Sequence, residues 1–233
     1  MKLYLIPNLL TQEAGAQTIA GCVLKAIEHV RLFFVEEPKS ARALLKKIDP
    51  KFPLTEATFL SLNEHTPPKD LEQYLDQAEG KDMAIISEAG YPCVADPGAD
   101  LVRSAHLKGV EVVPLVGASS IILALASSGL NGQNFAFNGY LPKDKNERLK
   151  KIKALEQRSL KDGQTQIIME TPYRSQSLLE DLLGVCSPKT HLCVACDIAG
   201  SGQMIKTATI EQWRRKAITL EKKPTLFLLL YFY

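Results

Sequence analysis

Short apolar runs alternate with segments of helical periodicity through the first half of the chain, and few folds accommodate that pattern. Residues 3–6, 32–35, 58–62, 83–87 and 111–115 are brief, largely apolar and read as strands. Between them Ala41, Leu44, Leu45 and Ile48 recur at the spacing of one helix face, and Leu71, Tyr74, Leu75 and Ala78 mark a second helix opened by Pro67 and Pro68. Apolar strands separated by amphipathic helices predict a mostly parallel sheet covered on both faces.

The chain has 233 residues, 45% hydrophobic and 23% charged, enough for one large or two small cores without a metal or disulfide to hold them. Five cysteines, Cys22, Cys93, Cys186, Cys193 and Cys196, are an odd number, and the opening Met1-Lys2 lacks the apolar core of a signal peptide. Both features predict a reduced, cytoplasmic setting. One stretch tests that reading: residues 112–130 carry no charge over 19 positions. Pro114, Gly117, Ser119, Ser120, Ser127 and Ser128 interrupt it, which predicts a buried strand followed by a helix and no membrane span. The apolar stretch 224–233 is too short to span and reads as a core strand.

Gly129 and Gly132 lie in a small, polar segment after the helix expected at 119–126, so the domain joint is placed there, giving domains 1–128 and 129–233. Strands are expected near 135–138, 166–170, 191–196, 203–207 and 225–231, with helices near 147–157, 173–183 and 211–216. Two strands with little between them, 191–196 and 203–207, suggest a hairpin and hence a mixed sheet. Charge is segregated. Residues 143–161 hold eight basic against three acidic side chains and 211–224 five against two, while the whole chain is only +2. Such clustering is the footprint of a surface that meets an anion, with nucleic acid the obvious candidate; a merely solvated helix face, with Leu149, Ile152 and Leu155 as its apolar stripe, is the alternative.

The standard nucleotide signatures are missing: no GxGxxG follows a strand and no GxxxxGK[ST] occurs. His29, His65, His106 and His191 are scattered, and the lone Cys193-Cys196 pair would point to opposite faces of a strand, so no metal site is expected. The informative segment is ISEAGYPCVADPG at 86–98, placed by its preceding strand at the carboxyl edge of a parallel sheet, where open α/β folds bind ligands. Ala89 and Gly90 let the main chain approach a ligand closely, and Pro92 and Pro97 stiffen the loop. Asp96 reads as the N-cap of the helix that follows, with Pro97 at its first position, and otherwise as a group in direct chemistry. A second loop of small residues at 116–120 supplies two hydroxyls, Ser119 and Ser120, to bind a polar ligand or cap the next helix.

Four segments taken together, ISEAGYPCVADPG, VVPLVGASSIILALASSGL, FAFNGYLPKDKNER and METPYR, resemble in order and spacing the tetrapyrrole methylase superfamily, and among its branches the bacterial ribosomal RNA small-subunit methyltransferase I group. The resemblance runs from Leu3 to about Tyr231. It implies two α/β domains with S-adenosylmethionine bound in the cleft between them, a homodimer, and methylation of a ribose 2′-hydroxyl in the RNA of the small ribosomal subunit. Carried over by position, it implies donor binding by Pro7, Glu88, Ala89, Gly90, Val94, Asp96, Val116, Ser119, Ser120 and Thr171. It places Lys143, Arg148, Tyr173 and Arg174 at the acceptor. A ribose hydroxyl would gain from a base, and of the carboxylates nearest the expected cleft, Glu36, Glu37, Glu88 and Asp96, Glu88 ranks first, with Asp96 the other catalytic candidate; no metal is implied.

This chain departs from that group at several points. Asn8-Leu9 stand where the group has a glycine, Glu36-Glu37-Pro38-Lys39 have lost an arginine, Glu88 replaces an aspartate, and Asp197-Ile198-Ala199-Gly200 replace Glu-Leu-Thr-Lys. Two other functions therefore stand beside RNA methylation: methylation of a small molecule such as a tetrapyrrole, and a non-catalytic binding or regulatory relative.

Overall fold

The computed structural model describes residues 1–11, 13, 15–63, 66–78, 80–216 and 218–232. His65 lies outside the described residues. The chain divides into two compact units, Met1–Ser119 and Ser120–Tyr233.

In the first unit β1 (Lys2–Ile6), β2 (Leu32–Val35), β3 (Thr58–Ser61), β4 (Met83–Ile86) and β5 (Glu111–Pro114) form a wholly parallel sheet in the order β3-β2-β4-β1-β5. The helices are α1 (Gly21–Ile27), α2 (Pro38–Ile48), α3 (Pro68–Asp76) and α4 (Ala99–Leu107). Helical faces cover the sheet on both sides, as the apolar runs require. Ala84 and Ile86 of β4 join a core with α1 and α2, whereas Met83 and Ile85 join another with α3 and α4. The stripe Ala41, Leu44, Leu45 and Ile48 is buried, and α2 is opened by Pro38 in its first turn with the Glu37 carboxylate accepting from the Lys39 N–H. Sequence periodicity gave no sign of α1. Its seven residues hold only three buried side chains, too few to make a stripe.

Topology fixes where a ligand belongs. From β1 the chain passes through α1 on one face to β2; from β4 it passes through α4 on the other face to β5. The connections leave these adjacent strands in opposite directions, so the carboxyl ends of β1 and β4 flank a switch point, where open α/β sheets take ligands.

The second unit holds α5 (Ser120–Ser128), β6 (Phe135–Phe137), α6 (Lys145–Asp162), β7 (Thr165–Glu170), α7 (Ser175–Val185), β8 (His191–Cys196), β9 (Met204–Thr209), α8 (Ile210–Arg215) and β10 (Thr225–Leu230). Its sheet, ordered β6-β7-β10-β8-β9, is mixed: β6 and β7 are parallel and the other neighbours antiparallel, with β8 and β9 as the expected hairpin. All six residues of β10 are buried, because helices pack on both faces of this central strand.

The division falls before α5, not after it as the glycines at 129 and 132 suggested. Ile121, Ala124 and Leu125 are buried, α5 lies on β8, β9 and β10, and Thr207 Oγ1 donates to the Ser128 carbonyl at 2.6 Å. Packing assigns the helix to the second sheet, and the glycines mark a loop inside that unit. The uncharged stretch 112–130 is thus split between β5 and α5, and no described helix is long and apolar enough to cross a membrane. Helix α6 outruns its expected length because Asp144 caps it, accepting from Glu147 N–H at 2.9 Å, and it ends only at Gly163 in the left-handed region.

Candidate active site and its loops

Three loops leave the carboxyl ends of β4, β1 and β5, adjacent strands in the first sheet. They are fastened by contacts that need particular residues. Pro7 is buried against Gly117, where an added Cβ would sit 2.0 Å from Pro7 Cγ. At Gly90, with φ +69°, a Cβ would come within 3.1 Å of Leu10. Glycine is required at both positions, by contact at Gly117 and by conformation at Gly90.

Asn8 is the fastener that sequence reasoning missed. Only 8% exposed, it donates from Nδ2 to the Ser87 carbonyl at 2.7 Å and the Glu88 carbonyl at 3.0 Å. Its backbone N–H donates to the Gly90 carbonyl at 2.7 Å, and its Oδ1 accepts from Leu9 N–H at 2.7 Å. The Ser87 hydroxyl adds a bond to the same Gly90 carbonyl at 3.0 Å. Three carbonyls of the β4 loop are thereby turned toward one residue of the β1 loop. Among the described residues the N–H groups of Glu88, Ala89 and Gly90 donate to no protein group. Unspent donors on a loop with little side-chain bulk are what a polar ligand needs.

Beyond Gly90 the loop is strained. Cys93 and Ala95 have φ of 66° and 58°, and Gly98 has φ of 125°. Residues with a Cβ pay for the left-handed region, and such strain persists where the surroundings enforce it. Between the two strained residues Val94 is turned outward, 47% exposed. The expected cap at Asp96 is not formed: α4 begins at Ala99 with Gly98 as its N-cap and no side-chain bond to that terminus. The strained turn carries the chain past Asp96 before the helix starts, so its carboxyl stays out of the helix. It lines a crevice too narrow to admit a water molecule, with Val35, Glu36, Ile86 and Pro97. Burial, and then the charges of Glu36 and Glu88, push the Asp96 carboxyl up to about 7. Glu88 is exposed and accepts from the Ser40 hydroxyl of α2, 2.6 Å from Oε1.

On the third loop Val116 is 74% exposed, and neither the Ser119 nor the Ser120 hydroxyl bonds to another protein group among the described residues. Neither serine caps α5, so both hydroxyls stay open.

In the second unit the carboxyl edge of β6 and β7 carries Glu170, Thr171, Tyr173 and Arg174. Glu170 is 1% exposed; Oε1 accepts from Thr171 N–H at 2.7 Å and Oε2 lies 2.9 Å from Arg174. Arg174 also donates to the Leu141 carbonyl at 3.1 Å. Arg148 is buried, pairs with Asp181 at 2.7 Å and donates to the Lys143 carbonyl at 2.9 Å. These arginines hold the 141–143 segment in place, and Arg148, 7% exposed with Nε and one terminal nitrogen bonded, serves the fold here where an exposed contact was expected. Lys143 and Tyr173 are exposed.

The altered stretch after β8 has a structural reason. Asp197, with φ 52° and buried, folds its carboxylate into the turn, accepts from Gly202 N–H at 3.0 Å and lies 3.5 Å from Lys223 Nζ. A Cβ on residue 200 would fall 2.4 Å from that carboxylate, so a lysine there would force Asp197 out of this position. Cys193 and Cys196 are free and buried on β8, and no metal-holding cluster occurs among the described residues.

Residues 17–213 match the tetrapyrrole (corrin/porphyrin) methylases as a family. The chain belongs to this family. Its members are S-adenosylmethionine-dependent methyltransferases, and so is this chain. It is 36% identical over 70% of its length to 69% of the ribosomal RNA small subunit methyltransferase I of Thermotoga maritima. It is 28% identical to the protein of that name from Escherichia coli O157:H7, over 90% of this chain and 69% of the relative. Among solved structures, diphthine synthase superposes with a TM-score of 0.67 at 16% identity, covering 98% of this chain and 89% of that one. The methyltransferase CobJ does so at 0.63 and 17%, covering 99% and 94%. Those two likenesses concern the fold.

The methylase loops of the first unit fit the donor: close main-chain approach at Gly90, unspent N–H groups at 88–90, and exposed apolar caps at Val94 and Val116.

Proposed function

We propose that this methyltransferase acts on ribosomal RNA of the small subunit, at a ribose 2′-hydroxyl, in the cytoplasm and as a homodimer. The observation that carries the acceptor is the likeness to relatives named ribosomal RNA small subunit methyltransferase I, one 36% identical over 70% of this chain and another 27% identical over 92% of it. Exposed, uncompensated cations in the second unit support it.

S-adenosylmethionine supplies a methyl group already activated by its sulfonium, so the protein's task is placement and proton management. Ala89, Gly90, Val94, Val116 and Ser119 of the first unit hold the donor in this reading, with Pro7 and Asn8 bracing the loop that presents it. A ribose hydroxyl is a weak acid, and a base poised near the working pH removes its proton as the new bond forms. Of the two candidates, Asp96 suits the task better. Its carboxyl titrates near 7 and makes no hydrogen bond among the described residues, whereas Glu88 is exposed and bonded to Ser40. Burial first, and then the charges of Glu36 and Glu88, keep Asp96 a stronger base than an ordinary carboxylate.

The deciding experiment offers labelled donor and small ribosomal subunits from cells lacking this gene and from normal cells. Methyl transfer to the first alone establishes the acceptor. Binding of the demethylated donor without transfer to either RNA, but with transfer to a tetrapyrrole, replaces it; binding with no transfer at all points to the non-catalytic relative.

A further inference from the structure

The cations of α6 are sorted by direction. Arg148 turns inward to Asp181, Glu156 is buried and accepts from Ser187 N–H at 2.7 Å and from the Thr190 hydroxyl, and Asp144 is spent as the cap. The inward acids are thus all committed to the fold. Lys150, Lys151, Lys153, Arg158 and Lys161 point to solvent, and among the described residues none makes a hydrogen bond or ion pair. From Lys150 to Lys161 the stripe runs three helical turns, about 16 Å at ~1.5 Å per residue. Because α6 connects β6 to the parallel β7, its first turn lies at the carboxyl edge of those strands, beside Thr171, Tyr173 and Arg174. The stripe leads away from that edge.

We propose that the solvent face of α6 is the track on which the acceptor RNA lays its phosphate backbone. The inference rests on the ribosomal RNA reading above. Against these five cations the only exposed acids of α6 are Glu147 and Asp162 at its two ends, so the face keeps an excess of positive charge whose self-repulsion a polyanion relieves while releasing its own counterions. Apart from its cations, the exposed residues of α6, Asn146, Glu147, Ala154, Gln157 and Asp162, include no large apolar side chain. A helix that lies on a lipid surface needs such side chains to bury, so nucleic acid fits this face better than a membrane does. Lysines predominate over arginine, which suits point contacts to phosphates more than bidentate reading of bases.

The test replaces Lys150, Lys153, Arg158 and Lys161 together by glutamine, which keeps helix propensity and removes charge. Affinity for a small-subunit RNA fragment is measured against salt, alongside calorimetric binding of the demethylated donor and adsorption to vesicles rich in anionic lipid. At about 0.7 per phosphate contact on a single strand, the slope of log affinity against log salt falls by roughly 3, and RNA affinity at low salt drops at least tenfold. Donor affinity and melting temperature stay at the parent's values. If the parent binds RNA steeply with salt and the variant matches it, the track is wrong while the acceptor reading stands. If the parent has no RNA affinity, the acceptor reading falls and the track with it. Binding to vesicles that exceeds binding to RNA, and is lost in the variant, also overturns the track.

Discussion

Replacing Asn8 by alanine removes the side chain that fastens the β4 loop to the β1 loop. The Ser87 carbonyl, on a residue 2% exposed, loses its 2.7 Å donor with no access for water to replace it; the Glu88 carbonyl belongs to an exposed residue and recovers a water. One stranded buried acceptor costs about 1–3 kcal/mol, and the rehydrated one adds little. The Gly90 carbonyl keeps both of its bonds, from the Asn8 backbone and from Ser87 Oγ, so the loop slackens at one end and does not detach. Donor affinity therefore falls about tenfold to a hundredfold, at ~1.4 kcal/mol per factor of ten. Calorimetry with the demethylated donor reads this directly. Asn8→Asp keeps the shape but sets a carboxylate against two carbonyl oxygens, and so falls further. A control, Leu101→Ala, empties part of the core on the α4 face and lowers the melting point by a comparable amount or more. Its donor affinity should be unchanged. Equal loss of donor affinity in the control, or none in the Asn8 variants, refutes the assignment of Asn8 to loop placement.

A carboxyl held near 7, against 3.8 for an ordinary aspartate, keeps its proton in the folded state where the unfolded chain has lost it. Stability thus declines as pH rises from about 4 to about 7 and levels off above. Asp96→Asn flattens that decline in urea melts, gaining roughly 1–2 kcal/mol at pH 8 once solvent screening of the half-buried group is allowed for, while methyl transfer falls by about a hundredfold or more if Asp96 is the base. Gly117→Ala drives a Cβ into Pro7 and costs about 1–3 kcal/mol in stability together with weaker donor binding, seen by melting and calorimetry. Arg148→Ala leaves the buried Asp181 carboxylate with only Lys145, 3.9 Å away, and costs about 2–4 kcal/mol in denaturant titration, somewhat below the loss for a fully unpaired buried charge. A loss confined to RNA affinity, with stability untouched, would return Arg148 to the acceptor.

Strands were legible where burial on both faces leaves one kind of residue to choose from. β2 and β8 match expectation at both ends, and β10 was visible as an unbroken apolar run because it lies at the centre of its sheet. The placement of the β4 and β5 loops at a carboxyl edge followed from the alternation of strands and helices, and the switch point confirms it for β4. What escaped the sequence depends on contacts distant along the chain. Asn8 meets Ser87 some eighty positions away, and nothing beside it in sequence announces that. Asp-Pro-Gly is a common way to begin a helix, yet the left-handed turns at Cys93 and Ala95 carry Asp96 past the terminus it would cap. Arg148 sits in a run of cations, and only the packing of α6 on α7 shows that it alone turns inward. The loss of a lysine at residue 200 looked like a change in what is bound, and is explained by a turn built around the Asp197 carboxylate.

The position of β10 between β7 and β8 sets a schedule for biosynthesis. Until residues 225–230 leave the ribosome, β6-β7 and β8-β9 are two separate ribbons, each with a bare, apolar edge. The first unit, whose five strands all lie within residues 2–114, can close long before that. A nascent chain arrested short of β10 would therefore carry one finished half and one sticky half, making it a natural client for chaperones.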